Sequence, residues 1–220
     1  MAERIPHISE PLFDVGSQKI NDNWHRFLDD LSMRLEAAAG QLPSGGGGAL
    51  AQGKHTIWVP STAMMSDDGL TPELVSFGTD GATPVLALDA GTAEFLRFAV
   101  AMPASWDEGD ISFQVYWAHP ATTDDFGTAW TLELSAFGND DPITNTGHVA
   151  VTVTDTGGTT DDLYISPESS GITPANSPQT GDLVRFTFFR AVDNAADDMA
   201  VDAYLIGIKV LFSLNAGNDA

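Results

Sequence analysis

The chain has 220 residues, a net charge of −22 and no cysteine. That length holds one domain, or one domain with an appendage, and is enough to bury a sizeable core. The missing cysteines exclude disulfides, thiolate zinc sites and cysteine nucleophiles, and the acidic balance repels phosphate backbones and anionic membranes, so neither a nucleic-acid nor a membrane partner is expected.

The charge is unevenly spread. Residues 1–54 hold five basic and seven acidic side chains, whereas residues 55–220 hold four basic and 24 acidic ones. Solubility in a salty medium, where screening shortens the repulsion, is the simplest reading. A role in binding cations or a basic partner is the alternative. Residues 1–14 lack the apolar stretch of a signal peptide, and no apolar run approaches the ~20 residues of a membrane span.

Residues 1–15 mix Ile8, Leu12, Phe13 and Val15 with turn formers such as Pro6 and Pro11. A free tail is usually more polar than this. These four apolar residues are therefore expected to attach the chain to a larger particle or to pack within an oligomer.

Residues 16–40 read GSQKINDNWHRFLDDLSMRLEAAAG. Ile20, Trp24, Phe27, Leu28, Leu31, Leu35 and Ala38 recur in steps of three and four, the spacing of one helix face. Ser17 suits the N-cap and Gly40 the stop, with Pro43 beyond. The tether that follows, LPSGGGGALAQG, cannot cover that face and behaves as a flexible linker. The stripe must lie against its own domain, against copies of itself or against another protein. The tether favours copies of itself, with Ile20, Trp24, Phe27, Leu31 and Leu35 as the oligomerisation surface. Bulky Trp24 and Phe27 suit a trimer better than a tight dimer seam.

From residue 55 the texture changes to short β-type runs separated by Gly, Pro, Asp and Asn. The predicted strands are 55–59, 74–77, 85–88, 93–102, 111–118, 129–137, 148–154, 162–166, 183–191 and 203–214. Ile111, Phe113, Val115 and Trp117 share one face, as do Trp130, Leu132, Leu134 and Ala136, and Val184, Phe186 and Phe188. Such runs are half-buried antiparallel strands. The last, AYLIGIKVLF, is apolar on both faces except at Lys209, which marks a central strand or one covered by a neighbouring subunit. The fold class is thus mostly β, a jelly-roll-like antiparallel β-sandwich preceded by one N-terminal α-helix. Its divisions are residues 1–40 (tail and helix), 41–54 (linker) and 55–220 (β-domain).

Catalytic signatures are missing. There is no HEXXH, no GxSxG and no phosphate-binding GxxxxGK[ST] pattern, so an enzyme is not expected. No cofactor is expected either. Paired acids recur at Asp67–Asp68, Asp124–Asp125, Asp140–Asp141, Asp161–Asp162 and Asp197–Asp198. The segment DTGGTTDD, residues 155–162, comes nearest to a structural Ca²⁺ loop, although Asp is simply a favoured turn former. Trp117 and Trp130 fit the inward alternation of a core. Trp106, in a predicted loop between Pro103 and Gly109, is the better candidate of these for an exposed glycan-binding aromatic, although a loop residue folded back as a lid on the core is the favoured reading.

Three runs carry a resemblance: IWVPSTAM (57–64), FLRFAVAMPASWDEGDISFQVYWA (95–118) and GTAWTLEL (127–134). They resemble small virion appendage proteins of tailed bacteriophages, of the tail-fibre and head-fibre type with a C-terminal β-sandwich. In that family a W-[IV]-P-x-x-A-M opening precedes a loop, and F-x-V-x-M-P-x-x-W-D-x-G-x-I joins two strands. The N-terminal PLFDVGSQKINDNWHRFLDDLSMRL is similar to the fibre opening that leads into a helix. The resemblance implies a structural protein of the virion, homo-oligomeric, anchored to the capsid or tail by its N-terminus and presenting the acidic β-domain to host surface glycan. It implies no catalytic residue. A capsid decoration or cement protein and a stand-alone carbohydrate-binding module are the alternatives.

Overall fold

The computed structural model describes residues 13–14, 19–20, 53–66, 69–78, 81, 83–120, 126–144 and 147–215. The chain divides into two units, Met1–Ala49 and Leu50–Ala220.

In the first unit, β1 (Phe13–Asp14) pairs antiparallel with β2 (Lys19–Ile20), Phe13 opposite Ile20 and Asp14 opposite Lys19. This corrects the start of the helix expected from residue 16. Lys19 and Ile20 are extended, and the four residues that separate the two strands in sequence, Gly16 among them, are a hairpin-length connection. Local pairing overrides the helical period there. The remainder of that helix, with Trp24, Phe27, Leu31 and Leu35, lies outside the described residues, as do Ile8, Leu12 and Val15 of the attachment segment.

The second unit is an antiparallel β-sandwich. Its strands are β3 (Lys54–Pro60), β4 (Met65–Ser66), β5 (Glu73–Phe77), β6 (Thr83–Leu88), β7 (Leu96–Ala101), β8 (Trp106–Ala118), β9 (Phe126–Phe137), β10 (Val149–Gly157), β11 (Tyr164–Ile165), β12 (Leu183–Arg190) and β13 (Ala203–Leu214). One sheet has the order β10-β9-β12-β7-β4 and the other β11-β8-β13-β6-β5, with β3 also on β13. From β6 to β9 and from β10 to β13 the chain changes sheet at every connection, whereas β5 and β6, and β9 and β10, are consecutive strands paired within one sheet. That shuttling between layers is jelly-roll-like.

Strand β13 is central, as its two apolar faces predict. It pairs with β8 along one side, and with β6 and then β3 along the other. The alternation read from sequence also sets the inner faces. Ile111, Phe113, Val115 and Trp117 of β8 meet Trp130, Leu132, Leu134, Phe186 and Phe188 of β9 and β12 in one buried core. Phe113 approaches Phe188 edge-on at 6.2 Å, and Trp117 lies 5.9 Å from Trp130. Each of these large side chains leaves water completely, a gain of about 1.5–3 kcal/mol apiece. This inward packing leaves the alternate residues of each strand, such as Gln114 and Tyr116 of β8, on the two outer surfaces, and those surfaces carry the candidate sites.

Candidate ligand-binding site

On the outer face of the second sheet, Trp58 of β3 and Tyr116 of β8 meet across the strand between them. Their ring centroids are 4.9 Å apart at 82°, an edge-to-face pair. Their strands are not neighbours, since β13 separates them, which puts the two backbones about 9–10 Å apart. Gly207 makes the contact possible. It faces Tyr116 in the ladder, and a Cβ built on it would come within 2.6 Å of the Trp58 indole. The indole therefore lies down over bare backbone and reaches its partner. Trp58 remains 45% exposed. Ile165 of β11, opposite Tyr116 in register and 47% exposed, extends the apolar row.

The next row of the same face is polar. Lys209 stands opposite both Trp58 and Gln114. Its Nζ donates to Gln114 Oε1 at 3.1 Å, and Gln114 Nε2 donates to the Ser166 carbonyl at 3.2 Å. Beyond it, Ser112 and Leu211 open into a cleft of ≈ 560 Å³ that also takes in Lys54, Asp110 and Glu168. Lys54 Nζ and Ser112 Oγ both donate to Glu168 Oε1. These bonds, the one from Lys54 foremost, hold the Glu168 carboxyl below the usual carboxylate range, against its partial burial.

The face thus sets an exposed indole, with the half-buried Tyr116 ring edge-on to it, beside a row of amide, ammonium and carboxylate groups.

The residues singled out in the sequence fall elsewhere. Trp106 is fully buried as the first residue of β8, which agrees with the favoured packing against the core and corrects both its weaker assignment as an exposed glycan-binding ring and its placement in a loop. The turn from Pro103, whose carbonyl accepts the Trp106 N–H at 3.0 Å, folds the ring into the core instead of outward. Trp117 and Trp130 are core, as expected.

Several of these acids serve as local hydrogen-bond acceptors. Among the paired ones, Asp141 accepts from the Gly138 N–H at 2.8 Å and Asp198 from the Gly127 N–H at 2.6 Å; Asp155, which opens the DTGGTTDD segment, accepts from Trp117 Nε1 at 2.8 Å. Among the described residues no group of three or more His, Cys, Asp or Glu side chains is gathered as a cation site. Asp67–Asp68 and Asp124–Asp125 lie outside the described residues.

The Trp58–Tyr116 pair was missed by sequence reasoning, yet it left a signal. Trp58 points opposite to Ile57 and Val59 in a half-buried strand, and a glycine inside an otherwise apolar central strand marks a close approach.

No protein-family model matches the chain, and no curated protein matches it. Solved structures do. CBM35 from Cellvibrio japonicus matches at 9% identity over 74% of this chain and 100% of its own length, with a TM-score of 0.40. The structure of the infectious bursal disease virus Gx strain matches at 12% identity over 76% of this chain and 34% of that one, with a TM-score of 0.36. A carbohydrate-binding module specific for non-crystalline cellulose, CBM28, matches at 13% identity over 73% of this chain and 85% of its own, with a TM-score of 0.30.

Proposed function

We propose that the chain is a non-enzymatic structural protein of a phage virion, a homo-oligomeric appendage whose β-domain binds host surface glycan through Trp58 and Tyr116. The observation that carries the binding half is the exposed Trp58 indole lying over Gly207 against the half-buried Tyr116, flanked by hydrogen-bonding side chains on one sheet face. The virion half rests on the sequence resemblance and on the apolar stripe beyond the Gly tether. In this reading residues 1–40 anchor the chain to capsid or tail and assemble it, as a trimer, and the acidic surface keeps the projecting domains apart and soluble.

Two measurements test it. Glycan-array binding by the full chain should be lost in Trp58→Ala while the fold is retained. Light scattering should give a trimer that falls to a monomer when Trp24→Ala and Leu31→Ala are combined. Array binding that survives Trp58→Ala removes the site. A monomeric wild type that still binds glycan replaces the appendage with a stand-alone carbohydrate-binding module.

A further inference from the structure

The opposite sheet carries a second and chemically different cleft. The β-domain has four basic residues from position 55 onward: Arg97, Arg185, Arg190 and Lys209. Two of them, Arg97 and Arg185, line one outer-face cleft of ≈ 300 Å³ together with Glu133, Ser135, Thr187 and His148. This is a concentration of positive charge on a domain that is otherwise strongly acidic.

The ladder explains the grouping. Arg97 of β7 stands opposite Thr187 of β12, which stands opposite Glu133 of β9. Arg185 is two residues back along β12 and stands opposite Ser135. Residues two apart on a strand share a face, so all five side chains project from the same side of the sheet.

Arg185 is held in place. Its Cζ sits 4.7 Å from the centroid of the Phe137 ring, and its Nη1 donates to the Ile143 carbonyl at 3.3 Å. Glu133 Oε1 lies 3.4 Å from His148 Nε2 at the opposite wall. The cleft therefore combines guanidinium donors, neutral hydroxyls and a carboxylate acceptor within one small volume.

We propose that this cleft binds an acidic sugar, its carboxylate held by Arg97 and Arg185 and its ring hydroxyls by Glu133, Ser135 and Thr187. Guanidinium groups match a carboxylate in geometry as well as charge. Glu133 selects against sulfate, which would meet its negative charge and offer no O–H donor, and against inorganic phosphate, whose dianion meets more repulsion there than a singly charged sugar acid does. A ligand carrying both an anion and hydroxyl donors satisfies both ends of the cleft. The volume suits a single sugar residue and not a long segment of polymer. The inference extends the glycan-binding reading to a second site on the other sheet and rests on that reading for the ligand class.

The test is ligand-observed NMR on the full chain with D-galacturonate, its neutral methyl ester, acetate and inorganic phosphate. Galacturonate should bind at least ~10-fold more tightly than the other three, because a site built around a paired polar group rejects an analogue lacking its partner. Arg97→Gln, at an exposed position, should weaken galacturonate by a similar factor without disturbing the fold. Arg185→Gln should do the same, with circular dichroism reporting whether loss of its Phe137 contact unsettles the loop. Trp58→Ala should leave galacturonate binding intact, which separates this cleft from the aromatic face.

An oligogalacturonate that binds more tightly than the monomer identifies an acidic polysaccharide as the source; equal affinity identifies a terminal or free sugar acid. Methyl ester or phosphate binding as well as galacturonate overturns the proposal, as does binding unchanged in Arg97→Gln. Loss of binding in Trp58→Ala alone also overturns it. Glycan binding through Trp58 with no response to galacturonate sinks this cleft and leaves the aromatic site standing.

Discussion

Arg190 and Asp197 form a two-pronged ion pair that seals the loop from β12 to β13 against the sheet. Arg190 Nε lies 3.1 and 3.0 Å from the two Asp197 oxygens, and Nη2 lies 2.6 Å from Oδ1, with the guanidinium wholly buried. The remaining donors go to the carbonyls of Val201 and Met199. Asp197 also accepts the Ala129 N–H at 3.0 Å, which ties the loop to the start of β9. A buried charge is tolerable here because it is paired and all three nitrogens of the fork donate hydrogen bonds.

Breaking one side of that pair should be costly. Asp197→Ala leaves a guanidinium in the core without its counter-charge, and the expected loss is about 3–5 kcal/mol. Arg190→Met fills the volume but strips donors from two buried carbonyls and from Asp197. The double variant removes both charges, so its loss should be well below the sum of the two single losses. Urea unfolding of the four proteins checks this, and simple additivity would show that the pair is not coupled.

Gly207 and Trp58 should separate stability from binding. Trp58→Ala removes a half-exposed ring from the outer face, so unfolding should shift by no more than about 1 kcal/mol while glycan binding disappears. Gly207→Ala places a Cβ 2.6 Å from the indole and 2.6 Å from the Val59 carbonyl oxygen. The strand cannot yield on the backbone side, so overpacking should cost about 1–3 kcal/mol and displace the indole as well. Retained glycan binding in a folded Gly207→Ala variant would mean that the edge-to-face geometry is dispensable.

The sandwich was legible because half-buried strands write their faces in a period of two. Val184, Phe186 and Phe188 against Arg185 and Thr187, and Ile111, Phe113, Val115 and Trp117 against their neighbours, mark inner and outer surfaces in the residue order alone. Shorter elements were not legible. Met65–Ser66 and the pairing of Phe13–Asp14 with Lys19–Ile20 involve two residues per strand, too few for any period to register. Both candidate sites escaped for another reason. Trp58 and Tyr116 lie 58 positions apart in sequence, and Arg97 and Arg185 lie 88 apart. Pairing of both strands with β13 brings the first pair together, and the direct pairing of β7 with β12 the second; one chain read in order contains neither register. Trp106 misled because a Pro-Ala-Ser-Trp-Asp-Glu-Gly run reads as a loop, whereas β8 begins at the tryptophan itself.

Glu168 should give the acid limb of the stability curve a component of its own. Hydrogen bonds from Lys54 and Ser112 hold its pKa below the ordinary 4.5. The folded state therefore binds that proton less readily than the unfolded state. The stabilisation is complete above the unfolded value and is lost as pH falls from about 4.5 through the folded pKa. Both partners are partly exposed, so the pair is worth only about 0.2–1 kcal/mol. Glu168→Gln should be slightly less stable than wild type at pH 7 and should converge with it once the pH has fallen below the lowered folded-state pKa. Denaturant midpoints taken across that range read the difference, and parallel curves at every pH would show that Glu168 does not contribute.

Trp106 provides the last separation, between a ring that packs and a ring that binds. Its side chain is fully buried in the core cluster, and among the described residues no protein group accepts from its Nε1. Trp106→Phe removes that buried donor together with part of the ring volume. The two effects oppose each other, so the net loss should stay near or below about 1.5 kcal/mol. Trp106→Ala empties the site and should cost about 3–5 kcal/mol. Glycan binding should be unchanged in Trp106→Phe, because the ring lies inside the sandwich and the proposed platform lies on its surface. A Trp106→Phe variant that unfolds normally but no longer binds glycan would return the binding role to the residue that the sequence first pointed to, and would take it from Trp58.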